Sequence, residues 1–140
     1  MIEKYYYLAA PYSVGDKASQ EDMEMRFWQI TAMAAELMKA DINIYSPITH
    51  GHFFSDLGLK RNFEWWLEKD MAFLSDASGL FVLKLEGWQM SPGVKAEIKF
   101  AKDMEIPIFY LAPDARVLNK GLEVGGITRG EVIEFKPEPT

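Results

Sequence analysis

"GLFVLKLEGWQMSPGVKAEIKFAKDMEIPIFYLA", residues 79–112, reads as strand, loop, helix and strand. The run Leu80 to Leu83 is continuously apolar and bounded by Gly79 and Gly87, the pattern of a strand buried on both faces. Ser91 and Pro92 then supply a helix start: a hydroxyl at the N-cap and a proline at the first position, where its missing N–H is not needed. The helix is expected over Ser91 to Met104, with Val94, Ile98 and Ala101 as its apolar stripe. Ile106 to Leu111 is a second buried run, with Pro107 tolerated near its beginning. Two buried strands joined by a helix make a parallel unit with a right-handed crossover.

The alternation continues upstream. A β-rich run, Lys4 to Ala9, ends at Pro11, and Ala18 to Asp41 carries Met23, Phe27, Ile30, Ala34, Leu37 and Met38 at helical spacing. Ile42 to Tyr45 is a short apolar stretch closed by Ser46-Pro47, a second helix is expected from about Asn62 to about Ser75, and Val132 to Phe135 is a candidate last strand. The expectation is an α/β, single-domain Rossmann-like (flavodoxin-like) parallel sheet of about five strands with helices on both faces, spanning residues 1–140. Such sheets bind ligands at the carboxyl ends of their strands, which singles out four loops: Ala10 to Gly15, Ser46 to Gly58, Lys84 to Met90, and Ala112 onward.

Composition narrows the function classes. At 49% hydrophobic and 26% charged residues, 140 residues suffice for one domain with a core that needs no disulfide or structural metal. No apolar run approaches the roughly 18 residues of a membrane span, and "MIEKYYYLAA" has no signal-peptide pattern, so a soluble cytoplasmic protein without a membrane partner is expected. The absence of cysteine removes thiolate chemistry and Cys-type zinc sites. A net charge of −6 argues against a nucleic-acid polymer as partner, while a small anion in a local pocket stays possible. Neither G-x-G-x-x-G nor G-x-x-x-x-G-K-[ST] is present, so the common nucleotide loops are missing.

Two acids break the helical pattern. Phe63, Leu67 and Leu74 form an apolar stripe, and at about 100° per residue Asp70 falls in its middle. A carboxylate there is either a structural buried polar contact or a site residue. Glu97 flanks the Val94–Ile98–Ala101 stripe, whereas Lys95, Lys99 and Lys102 share the solvent side. It reads either as a boundary glutamate whose carboxylate reaches water or as a site residue beneath the loop Lys84 to Met90. A capping box would need Glu or Gln at the place of Val94, so capping does not explain Glu97.

"YLAAP" (Tyr7 to Pro11), Asp70 followed by "LSDASGLFVL", and "GWQMSPGVKAEIKFA" stand in an ordered set that resembles the nucleoside 2-deoxyribosyltransferase-like N-glycosidases. The last matches the pattern S-x-G-x-x-x-E-x-x-x-A with Ser91, Gly93, Glu97 and Ala101, and the resemblance spans Tyr7 to Leu111. It implies that Glu97 is the nucleophile at the anomeric carbon of a nucleoside sugar and that Asp70 holds the substrate or helps protonate the leaving base. It further implies that Tyr7, Ala9, Pro11, Ser91 and Gly93 line the substrate site. Serine at 91, where nucleoside-specific relatives tend to carry aspartate, implies a nucleoside 5′-monophosphate and its nucleotide branch.

The first loop, "PYSVGDK", lacks the arginine that this branch often supplies, and Ser13, Lys17 and Arg26 are candidate substitutes. His50 and His52 form an H-x-H pair without further His or Cys, so no metal or cofactor is expected. They belong either to a solvated loop or to one in which a histidine touches base or phosphate. Trp88 either stacks on a base or plugs the strand edge, and Trp65 and Trp66 are expected in core or subunit contacts. The implied activity is hydrolysis of the N-glycosidic bond of a (deoxy)nucleoside 5′-monophosphate through a glycosyl-glutamate, releasing free base and sugar 5-phosphate. The alternatives are a base-exchanging deoxyribosyltransferase and a noncatalytic nucleotide-binding module. A homodimer or larger homo-oligomer is expected, with "NKGLEVGGITRG" a candidate loop for completing a neighbour's pocket.

Overall fold

The computed structural model describes residues 4–13, 19–119 and 123–129, with 116–119 and 123–129 described by their backbone. Strands β1 (Tyr6–Ala9), β2 (Ile44–Tyr45), β3 (Gly79–Leu83), β4 (Ile108–Asn119) and β5 (Glu123–Arg129) form one sheet in the order β2-β1-β3-β4-β5. The pairings β1/β2, β1/β3 and β3/β4 are parallel, and β4/β5 is antiparallel. Helices α1 (Gln20–Lys39), α2 (Pro47–Gly51), α3 (Phe63–Leu74) and α4 (Pro92–Asp103) join the parallel strands. From β1 the chain steps one way to β2 and then back past β1 to β3 and β4. With right-handed crossovers α1 therefore lies on one face and α3 and α4 on the other.

The helices start where their side chains can cap them. Ser19, Ser46, Asn62 and Ser91 each accept a hydrogen bond from the backbone N–H three residues on, at 2.9–3.2 Å. Helices α1 and α4 end alike. Ile42 N–H donates to Leu37 O and Ile106 N–H to Ala101 O, each across a residue in the left-handed region, Asp41 at φ 65° and Glu105 at φ 59°. The next residue in each case, Ile42 or Ile106, is buried and so ties the helix end to the core.

That core is centred on β3, buried at all five positions, with Tyr7 and Leu8 of β1 on one side and Ile108, Phe109 and Leu111 of β4 on the other. Each such side chain contributes about 1.5–3 kcal/mol by leaving water. Gly79 is required at the start of β3, since a Cβ there would lie 2.7 Å from the Tyr6 ring.

Two expectations need correction. The fifth strand is antiparallel and formed by Glu123–Arg129, inside the stretch read as a loop, because β4 runs on past Leu111 to Asn119 and folds back as a hairpin. The candidate strand Val132 to Phe135 lies outside the described residues, as does Lys17. No helix among the described residues is long and apolar enough to cross a membrane.

Candidate active site

The strand order reverses beside β1, and at this switch point the loops after β1 and β3 diverge and leave a crevice. A cavity of about 510 Å³ opens there. Its walls come from the loop after β1 (Ala10, Tyr12, Ser13), from α2 and the segment behind it, from one face of α3, and from the start of α4.

Glu97 occupies the second turn of α4, between Val94 and Ala101, both fully buried. This helix face points at the sheet, so the carboxylate is only 6% exposed and lies on the cavity wall. Tyr7, buried in the middle of β1, donates its hydroxyl to Glu97 Oε2 at 2.5 Å. Burial raises Glu97 to about 8; the Tyr7 hydrogen bond opposes that rise and the nearby Asp70 charge adds to it. Asp70 projects from α3 into the same cavity, and burial raises it to about 7. The two acids therefore titrate as a pair that holds at least one proton at neutral pH. Tyr7 and Tyr45 are raised as well, chiefly by burial and then by the acids beside them, so both remain hydroxyl donors.

The stripe containing Asp70 is a cavity wall rather than a core seam. Leu74 is buried, but Leu67 is half-buried and Phe63 is 47% exposed, and both line the cavity. Trp66, expected in core or subunit contacts, lines it too.

Ser91, Gly93, His52 and Ser13 also lie on the cavity wall. Ser91 caps α4 through a hydrogen bond from Val94 N–H at 3.2 Å, so its hydroxyl hydrogen is left to donate elsewhere. His52 is buried, stacked on Phe27 at 4.1 Å between ring centroids. Its Nδ1 is 2.5 Å from the Tyr12 hydroxyl and its Nε2 is 3.8 Å from Glu24. It is a packed histidine at the cavity edge, not part of a solvated loop.

Other expected site residues fall elsewhere. Ala9 and Pro11 are buried and, like Tyr7, are not on the cavity wall. Arg26 donates to the Tyr12 backbone carbonyl at 2.8 Å, which ties α1 to that loop, and it is not on the cavity wall. His50 is exposed and packs against Tyr45 and Phe54. Trp88 lies 5.5 Å from Tyr110 and is not on the cavity wall. Lys84 to Met90 adds nothing to the wall, because it folds back through Trp88 N–H to Leu85 O; β4 continues as a strand where a ligand loop was expected. Among the described residues no group of three or more His, Asp or Glu could hold a metal.

Sequence reasoning missed Tyr12, Lys60, Arg61 and Ile48 on the wall. Tyr12 had a signal, since it directly follows the strand-ending Pro11.

Fold and cleft together define a small α/β domain with paired acids at its topological switch point. The chain belongs to the family described as domain of unknown function (DUF1937), whose model matches residues 4–112. No curated protein matches it. Among solved structures it is similar to a 2-deoxyribosyltransferase from the psychrotolerant bacterium Bacillus psychrosaccharolyticus, with TM-score 0.54 and 17% identity over 82% of this chain and 77% of that one. It is also similar to a 2-desoxiribosyltransferase from Leishmania mexicana, with TM-score 0.52 and 11% identity over 91% of this chain and 80% of the other. The likeness is one of fold.

Proposed function

We propose that this protein is an enzyme that breaks the N-glycosidic bond of a nucleoside or its 5′-monophosphate through a glycosyl ester on Glu97. The observation that carries this reading is the buried Glu97, gripped by Tyr7, facing the same cavity as Asp70. An oxygen of ionised Glu97 forms a bond to the anomeric carbon while the bond from that carbon to the base nitrogen breaks. The electron pair leaves with the base, which takes a proton from Asp70, held partly protonated near neutrality by its raised pKa. Positive charge developing on the sugar favours the charged form of Glu97, and the Tyr7 hydroxyl is already placed to hold it.

The ester is then opened by a second nucleophile. Both solved structures above carry the name of a 2-deoxyribosyltransferase, which favours a second base as acceptor over water. Hydrolysis to free base and sugar 5-phosphate is the competing fate, and it uses the same ester.

Nucleosides and monophosphates are incubated with the protein, with and without an acceptor base, and the products separated by chromatography. A new nucleoside or nucleotide marks transfer; free base without acceptor marks hydrolysis. Glu97→Gln is expected to lower either activity by at least about a thousandfold. No base released from any substrate, or full turnover by Glu97→Gln, overturns the reading.

A further inference from the structure

The cavity wall carries charges of both signs, and the mechanism uses only the acids. Asp70 and Glu97 supply the acids; Lys60 and Arg61 are the only lysine and arginine on the described wall. In a chain of net charge −6, two adjacent exposed cations on a cavity wall are a local reversal of the overall field.

Neither cation is consumed by a structural ion pair: among the described residues no carboxylate lies within salt-bridge distance of either one. Arg61 instead rests over the Trp65 ring at 5.2 Å, a ring that Lys69 also approaches at 5.0 Å, which adds a further positive charge nearby.

Their backbone is fixed at both ends. Gly58, at φ 98°, closes the short helical turn Phe54–Leu57, and Leu59 N–H donates to Phe54 O at 3.0 Å. Asn62 then caps α3 through Trp65 N–H at 2.9 Å. The next residue, Phe63, reaches α4: a Cβ on Gly93 would lie 3.9 Å from its ring. The starts of α3 and α4 are thus held side by side, with Lys60 and Arg61 just ahead of that junction.

We propose that Lys60 and Arg61 bind a phosphate monoester on the substrate and make the site select nucleotides over nucleosides. This rests on the reading of the cavity as a glycosyl-transfer site and assigns the anion-binding side chains to the segment before α3, not to the loop after β1. Arg61 offers a fork of N–H donors to phosphate oxygens and Lys60 a point charge.

The test compares kcat/KM for a nucleoside and its 5′-monophosphate in the natural protein, in Lys60→Ser/Arg61→Ser, and in the control Lys69→Ser, which removes a neighbouring charge outside the cavity. The natural protein is expected to prefer the monophosphate by at least about tenfold. The double variant should lose that preference, mainly through a higher KM for the monophosphate, by on the order of a hundredfold for two charged contacts. The control should keep it. An unchanged preference in the double variant, or no preference in the natural protein, overturns the proposal.

If no substrate is turned over, the glycosyl-transfer reading fails by itself, and calorimetric binding of the monophosphate to the natural and double-variant proteins still decides the anion site. Ribose 5-phosphate and inorganic phosphate are added as competitors. Stronger competition by ribose 5-phosphate is expected, whereas equal competition by inorganic phosphate would mean that the pair reads free phosphate and not a substrate ester.

Discussion

Tyr7 and Glu97 are 90 positions apart in sequence and share one hydrogen bond, on which the proposed chemistry depends. The hydroxyl is the one group found to pull the Glu97 carboxyl down against burial, which otherwise drives it to about 8. In the proposed reaction Glu97 is ionised and Asp70 protonated, so kcat/KM should pass through a maximum between about 7 and 8 and fall on either side. Tyr7→Phe keeps the packing but removes the donor that lowers Glu97, so the maximum should move to higher pH and the rate near neutrality fall by about 10- to 100-fold. A pH–rate profile of the variant checks both, and a maximum that stays in place would contradict the assigned role. The inward placement of Asp70 was legible in the helical period, whereas Glu97 fell beside its stripe, where a boundary glutamate reaching water stayed open. Tyr7 as partner was not, because periodicity places a residue on a face but does not say which strand lies opposite.

At the level of elements, punctuation was the clearest signal. Ser91-Pro92 and Asn62 cap the helices they were expected to open, and the apolar run Leu80 to Leu83 lies in the central strand. What escaped was short or unfavourable by propensity. Helix α2 has five residues, too few for a period to show, and β5 contains adjacent glycines, which weaken a strand on its own. The wall of the cavity escaped too, since Phe63, Trp66 and Leu67 on α3 look in sequence like a stripe meant for the core. The matched ends of α1 and α4 yield a prediction: Glu105 occupies a left-handed position at φ 59° that glycine tolerates without strain. Glu105→Gly should stabilise the protein by about 0.5–1 kcal/mol, read as a higher urea midpoint. A lower midpoint would show that the side chain does more than endure its backbone.

For the molecule as a whole, the paired acids trade stability for chemistry. Their folded pKa values, about 7 and about 8, exceed the ordinary carboxyl values of 3.8 and 4.5, so the folded state binds more protons than the unfolded chain between these limits. Stability from these groups is complete below about pH 4 and is lost as pH rises through 7 to 8. At about 1.4 kcal/mol per pH unit the buried Glu97 alone accounts for a loss on the order of 5 kcal/mol, and half-buried Asp70, screened by solvent, adds less. Asp70→Asn/Glu97→Gln should therefore unfold at a higher urea concentration than the natural protein at pH 8.5 and at nearly the same one at pH 4. Equal midpoints at both would mean that the carboxyls are better solvated than their burial indicates. The capped stretch between Gly58 and Asn62 has a consequence of its own. Because it is anchored at each end independently of the sheet, its Lys60 and Arg61 side chains can be exchanged while Asp70 and Glu97 stay on the helices that carry them. In the proposed enzyme, substrate preference and catalytic power can then drift separately as related sequences diverge.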